Sequence, residues 1–137
     1  MDAVYVHSPP ESEVPELPAG PSRVLLVAEA KCSAEWRARV CTSVAKSGCL
    51  YFLAWGVDAE AWHDTVDETN LEEFNFCDIP EHRFIMTTWH ADEPLNEAIW
   101  FAKHNAFHPS VELTSTVILH VCVEGKQSEL VARYASA

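Results

Sequence analysis

The sequence predicts an α/β three-layer sandwich around a mainly parallel sheet of about four strands, preceded by an extended Pro-rich arm. Three observations lead there. RVLLVAEA (23–30), CLYFLAWG (49–56), RFIMTTWH (83–90) and STVILHVCV (115–123) are short apolar runs of the kind that form strands buried on both faces. Amphipathic stretches separate them, which favours crossover helices. Right-handed crossovers would then place helices on both sides of the sheet.

Residues 1–22 hold five of the eight prolines (Pro9, Pro10, Pro15, Pro18 and Pro21), four acids and one hydrophobic cluster, Val4-Tyr5-Val6. That composition predicts the extended arm, with room for a short strand at 3–7. Residues 23–137 then make one α/β domain. After the first strand, Ser33 is placed to cap a helix in which Trp36, Val40 and Val44 share one face, and Gly48 closes it. Gly56 ends the second strand. Asp58 begins a helical stretch with Trp62 and Val66 on one face. Thr69 and Glu72 match a capping box, so a break and a second short helix are expected near 70–76. After the third strand, Asp92 or Glu93 is expected to cap a helix with Pro94 in its first turn. Leu95, Ile99, Ala102 and Ala106 form its stripe, and Pro109 stops it. SELVARYASA predicts a terminal helix.

With 137 residues the chain is long enough for a core without metal or disulfide staples. Its 21 acids against nine Lys plus Arg give a formal net charge of -12, which disfavours nucleic acid and anionic membranes as partners. From Ser47 to His82 there is no Lys or Arg, and nine acids fall in that window. Such a one-sign run creates a directional field suited to a basic partner, although a solvated face is its commonest meaning. The five cysteines show no CxxC pair. With no apolar segment near the start, they point to a reduced, cytoplasmic protein.

In open parallel sheets, ligands bind beyond the carboxyl ends of the strands. If the protein is an enzyme, His90, Glu93, Glu29 and Asp58 are the candidate catalytic residues there, because a carboxylate beside a histidine is the minimum for acid–base work. Helix capping is the competing explanation of Asp58, Asp92 and Glu93. Thr88, His90, Asp92 and Glu93 are the polar residues after the third strand, and Trp89, His90, Asp92 and Glu93 mark the best place for a pocket. None of the four glycines forms a phosphate loop, and Glu29 and Glu35 stand where phosphates would sit. No cofactor is expected. His104 and His108 are weak metal candidates: their spacing suits a helix, but the glutamate of HExxH is missing and Pro109 pushes His108 out of helical geometry. His120, inside a strand, reads as buried and hydrogen-bonded. Cys32 lies near a helix amino end, a position that lowers a thiol pKa.

The landmarks AWG, DIP, TTWH, EPL, WFA and FHP in the run from Gly48 to Pro109 resemble those of a family of small, uncharacterised bacterial proteins. The resemblance implies a bacterial, cytosolic origin and carries no activity, cofactor or catalytic residue with it.

Three function classes remain. The leading expectation is an acidic protein-binding module, an immunity or antitoxin-type inhibitor of a basic partner such as a nuclease toxin. Its contact residues would be Asp58, Glu60, Trp62, Asp64, Asp67, Glu68, Glu72 and Glu73. The second is a small-molecule or nucleotide-related domain with a pocket at the strand ends. The third is a structural or assembly subunit packing through exposed aromatic residues. The sequence leaves the oligomeric state open.

Overall fold

The computed structural model describes residues 3–137, so the first two residues of the expected arm lie outside it. Five parallel strands form one sheet: β1 (Ala3–His7), β2 (Ser22–Ala28), β3 (Cys49–Gly56), β4 (Met86–His90) and β5 (Ser115–Val121). Their spatial order is β1-β5-β2-β3-β4. Four helices connect or follow them: α1 (Ala34–Lys46), α2 (Ala59–Glu73), α3 (Leu95–His104) and α4 (Gln127–Ser136). The sheet therefore has five strands where four were expected. The additional strand is β1, at the 3–7 position where the arm had room for a short strand, and it is paired with β5 from Ala3↔Thr116 to His7↔His120. The rest of that segment is tied to α1: the Trp36 indole donates to Ser12 O at 2.8 Å, the Ser43 hydroxyl to Pro15 O at 2.6 Å, and Leu17 is buried in the core.

Side chains alternate along the strands, and the two resulting cores define three layers. Val24, Leu26, Phe52, Ala54, Val117 and Leu119 meet Trp36, Val40 and Val44 of α1 and Trp62 and Val66 of α2. Leu25, Val27, Leu53 and Ile118 meet Leu95, Ile99 and Ala102 of α3 and Leu130 and Tyr134 of α4. Chain direction explains the split. From β2 the chain steps outward through β3 to β4, then returns past β2 to β5, so a constant crossover hand moves α3 to the opposite face. Trp36 and Trp62 pack edge to face at 6.2 Å, and both are essentially unexposed. Burial of a large apolar side chain contributes roughly 2 kcal/mol or more.

Several element ends follow the local chemistry expected of them. The Ser33 hydroxyl accepts from Trp36 N at 3.1 Å and caps α1. Gly56, at φ +100, lets β3 turn away against Ala28 O, where a Cβ would collide. Other ends differ. α2 runs unbroken to Glu73, because the Thr69 hydroxyl donates back to Thr65 O rather than capping a new helix. Asn70, buried on that helix, instead holds the entry to β4: its Nδ2 donates to Arg83 O and its Oδ1 accepts from Ile85 N. β4 consequently begins at Met86, after a 3-10 turn at Glu81–Arg83. Neither Asp92 nor Glu93 caps α3; Pro94 holds that position without a side-chain bond. α3 ends at His104, well before Pro109, although Ala106 is still buried.

Candidate functional site

The helices cover the two faces of the sheet unequally. On the α3/α4 side, α3 packs over β2 and β3 and α4 over β1, which leaves this face of the edge strand β4 open beside α3. The resulting cleft has a volume of about 710 Å³. Thr88 and His90 rise from β4 on its floor, and Glu93, Glu97, Trp100 and Phe101 form the α3 wall. Trp100 is 50% exposed, so its ring is available to a ligand, whereas Trp89 alternates to the opposite face, where its ring packs edge-on against His63 of α2 at 4.5 Å. The Trp55 indole donates to Glu93 O at 2.8 Å and fixes the turn between β4 and α3.

Inside the cleft three polar side chains stand in series. His90 Nδ1 lies 2.6 Å from Glu93 Oε1, and His90 Nε2 lies 3.0 Å from Thr88 Oγ1. An ionised carboxylate only accepts, so Nδ1–H donates to Glu93 and Nε2 accepts the Thr88 hydroxyl proton. Hydroxyl, imidazole and carboxylate in this order allow a base to polarise a hydroxyl while the acid holds the ring. The His90 ring also packs 5.1 Å from Phe101, which closes one side of it to water.

A second histidine–glutamate pair lies where the chain reverses its outward winding, between β2 and β5. The fully buried His120 directs Nε2 to Glu29 Oε1 at 2.5 Å and Nδ1 to the Tyr5 hydroxyl at 2.7 Å. That hydroxyl in turn accepts from Lys126 N at 2.9 Å. All directions agree: Lys126 N–H to Tyr5, Tyr5 O–H to His120 Nδ1, and Nε2–H to Glu29. Burial raises the Tyr5 phenol pKa and keeps it a donor, while the Lys126 amide opposes that shift in part. A Cβ at Gly125 would stand 2.9 Å from the hydroxyl, so the loop after β5 needs glycine to approach it.

Of the four candidate catalytic residues, the fold brings His90 and Glu93 together, sends Glu29 to His120, and leaves Asp58 exposed before α2, where its side chain caps nothing. Among the candidate contact residues, Glu60, Asp64, Glu68, Glu72 and Glu73 are exposed on α2. Asp67 is partly engaged, accepting from the Thr87 hydroxyl at 2.7 Å. Trp62 is 1% exposed, which removes it from any contact surface: its helix position faces Trp36 and the sheet.

His104 and His108 do not converge. His104 is exposed at the end of α3 with its ring against Trp100. His108 lies beyond the helix, donates from Nε2 to Phe84 O at 2.8 Å and accepts at Nδ1 from Ser110 N and Val111 N, so no lone pair is left for a metal. Among the described residues, no group of three or more His, Cys, Asp or Glu is placed to hold a metal ion. The Cys32 thiol is not activated: burial pushes its pKa up, with Arg37 opposing only in part. No helix among the described residues is long and apolar enough to cross a membrane.

Tyr5, Asn96 and Glu97 were not legible as site residues. Tyr5 sits in a short cluster of apolar pattern, and its partner His120 is more than a hundred positions away. Asn96 and Glu97 look like ordinary solvent-facing residues of an amphipathic helix, with no local signal for a cleft beside them.

A family model described as Domain of unknown function (DUF7684) matches residues 3–137. This agrees with the resemblance of the AWG-to-FHP landmarks to an uncharacterised family. No curated protein and no solved structure matches the chain.

Proposed function

Because the chain belongs to the DUF7684 family, whose description names no activity, we propose a function from the geometry: a small-molecule-binding α/β domain whose ligand lies in the cleft over β4. The single observation that carries this reading is the placement of the Thr88–His90–Glu93 series on the floor of an open, aromatic-walled cleft at the carboxyl end of the sheet. Concave sites with apolar walls and a few convergent polar groups are where small ligands bind. The Thr88 hydroxyl, polarised by His90 Nε2 while Glu93 orients the ring, is the group of the series that can meet a ligand.

A second reading is favoured by a separate observation. The outer face of α2 presents Glu60, Asp64, Glu68, Glu72 and Glu73 with no basic residue in its last turn. That face suits an acidic inhibitor of the immunity or antitoxin type, from a bacterial cytoplasm, steering a basic protein onto itself.

One experiment separates them. The protein is incubated with the small-molecule and the protein fractions of a bacterial cytosol and analysed by native mass spectrometry. A stoichiometric small adduct that His90→Ala and Trp100→Ala weaken, and that Asp64→Lys with Glu72→Lys leave intact, supports the cleft. A basic protein captured at low salt, released at high salt and lost on charge reversal supports the second reading and removes the first.

A further inference from the structure

We infer that the cleft over β4 selects a cationic ligand, an organic amine with a flat apolar body, and rejects carboxylates and phosphates. This rests on the cleft being a small-molecule site and names the class of molecule it takes. Two carboxylates, Glu93 and Glu97, stand in the lining. No Lys or Arg lines the cleft. The nearest cations stand outside the lining: Lys103 Nζ donates to Tyr134 O and Ala135 O at 3.0 and 2.8 Å, and Arg133 reaches only the edge of the cleft, where its Nε donates to Asn96 Oδ1 at 2.9 Å. An anion entering the cleft would lose water and meet the like charge of Glu93 and Glu97, with no Lys or Arg among the lining residues to compensate.

The aromatic walls favour the same ligand. Half-exposed Trp100 stands on the α3 wall, and Phe101 lies behind His90. Tryptophan faces attract ammonium groups, and the attraction grows as the cation is desolvated beside them. One Glu93 oxygen is held by His90 at 2.6 Å, whereas Glu97 lies outside that hydrogen-bonded series. Glu97 is therefore the carboxylate that would pair the ammonium, while Trp100 on the same helix receives the apolar body. The net charge of -12 adds a long-range field that steers cations toward the molecule and anions away.

Three probes of one shape and different charge test this: phenethylamine, 2-phenylethanol and 3-phenylpropionate, titrated while the indole N–H resonances of the full chain are followed by NMR. Trp100→Leu assigns the cleft signal, and Trp89→Leu assigns the indole on the opposite face, which serves as the internal control. Phenethylamine is expected to shift the Trp100 indole far more than that of Trp89 and to bind about tenfold more tightly than the alcohol, with no response to the propionate. Glu97→Gln, an exposed substitution that keeps the fold, should bring the amine close to the alcohol. Equal or tighter binding of the alcohol or propionate at the Trp100 indole overturns the charge selectivity and leaves the cleft as a ligand site. Failure of all three to move the Trp100 indole at millimolar concentration overturns both.

Discussion

His90 and His120 lie in one row across the sheet, separated by Val27 and Trp55 through the pairings His120↔Val27, Val27↔Trp55 and Trp55↔His90. Residues paired across parallel strands project to the same face, so both rings stand on the α3/α4 side at the carboxyl end of their strands, about 14 Å apart at three strand spacings. Each holds a glutamate, but on opposite nitrogens: Nδ1 for His90 and Nε2 for His120. One ring faces an open cleft and the other is sealed. The difference comes from cover, since β4 is an edge strand beside α3 while β5 lies between β1 and β2.

The sealed pair predicts a stability effect. Tyr5→Phe removes the hydroxyl that joins Lys126 N to His120 Nδ1, leaving a buried acceptor unpaired. The expected loss is about 1–3 kcal/mol in urea unfolding, with little change in cleft ligand binding. A neutral result would show that the chain from Lys126 to Glu29 carries no structural weight.

Asn70 is the hinge between α2 and the candidate site. Asn70→Ala deprives Ile85 N and Arg83 O of partners just before β4. A destabilisation of about 2 kcal/mol is expected. Amide exchange should accelerate at Met86–His90 more than at β2, because β4 has one strand neighbour. Uniform acceleration over all strands would contradict that local role.

Glu11 ties the segment after β1 to the α1 cap, accepting from Ser33 N and from the Ser33 hydroxyl, both at 2.6 Å. Those bonds hold its carboxyl below its ordinary value of 4.5. A depressed folded pKa means that the contribution is fully present above the ordinary value and is lost as pH falls through the lowered one. Wild type should therefore be more stable than Glu11→Gln at pH 7, and the gap should narrow steadily below pH 4.5. A gap that does not depend on pH would rule out the carboxylate as its source.

Thiol reactivity should follow burial. Cys49 is pushed up to about 12, and burial raises Cys32, Cys41 and Cys122 as well. Cys77 is the exposed thiol of the five. Brief iodoacetamide treatment of the native protein, followed by peptide mass mapping, should label Cys77 first, since only the thiolate reacts. Cys32 labelling first would show an activated thiol at the α1 amino end.

Much of the secondary structure was legible because its causes are local. The continuous apolar runs around Leu25, Leu53 and Ile118 need burial on both faces, Ser33 supplies a cap acceptor, and Gly56 permits a positive φ. These act over a few residues and are therefore written in consecutive positions. The misread elements had causes elsewhere in the chain. The 3–7 segment, where a short strand had room, joins the sheet because β5 offers it an edge; Asn70, inside the expected break, is held in α2 by partners before β4; Glu93 turns to His90 instead of capping α3.

The same division runs through the site. A histidine and carboxylates at the strand ends, and an acid-only window, were evident in the residues alone. Which glutamate meets which histidine was decided by strand order, because the outward winding from β2 to β4 and the return to β5 put Glu29 beside His120 and carry His90 to the edge. The cleft itself is a product of packing: two helices cannot cover one face of five strands, and the uncovered strand is the one that carries Thr88 and His90. Sequence determined the chemistry available to this protein through short-range propensity and composition. Tertiary structure alone decided which of those groups meet and which are left open to a ligand, since both depend on contacts between segments far apart in the chain.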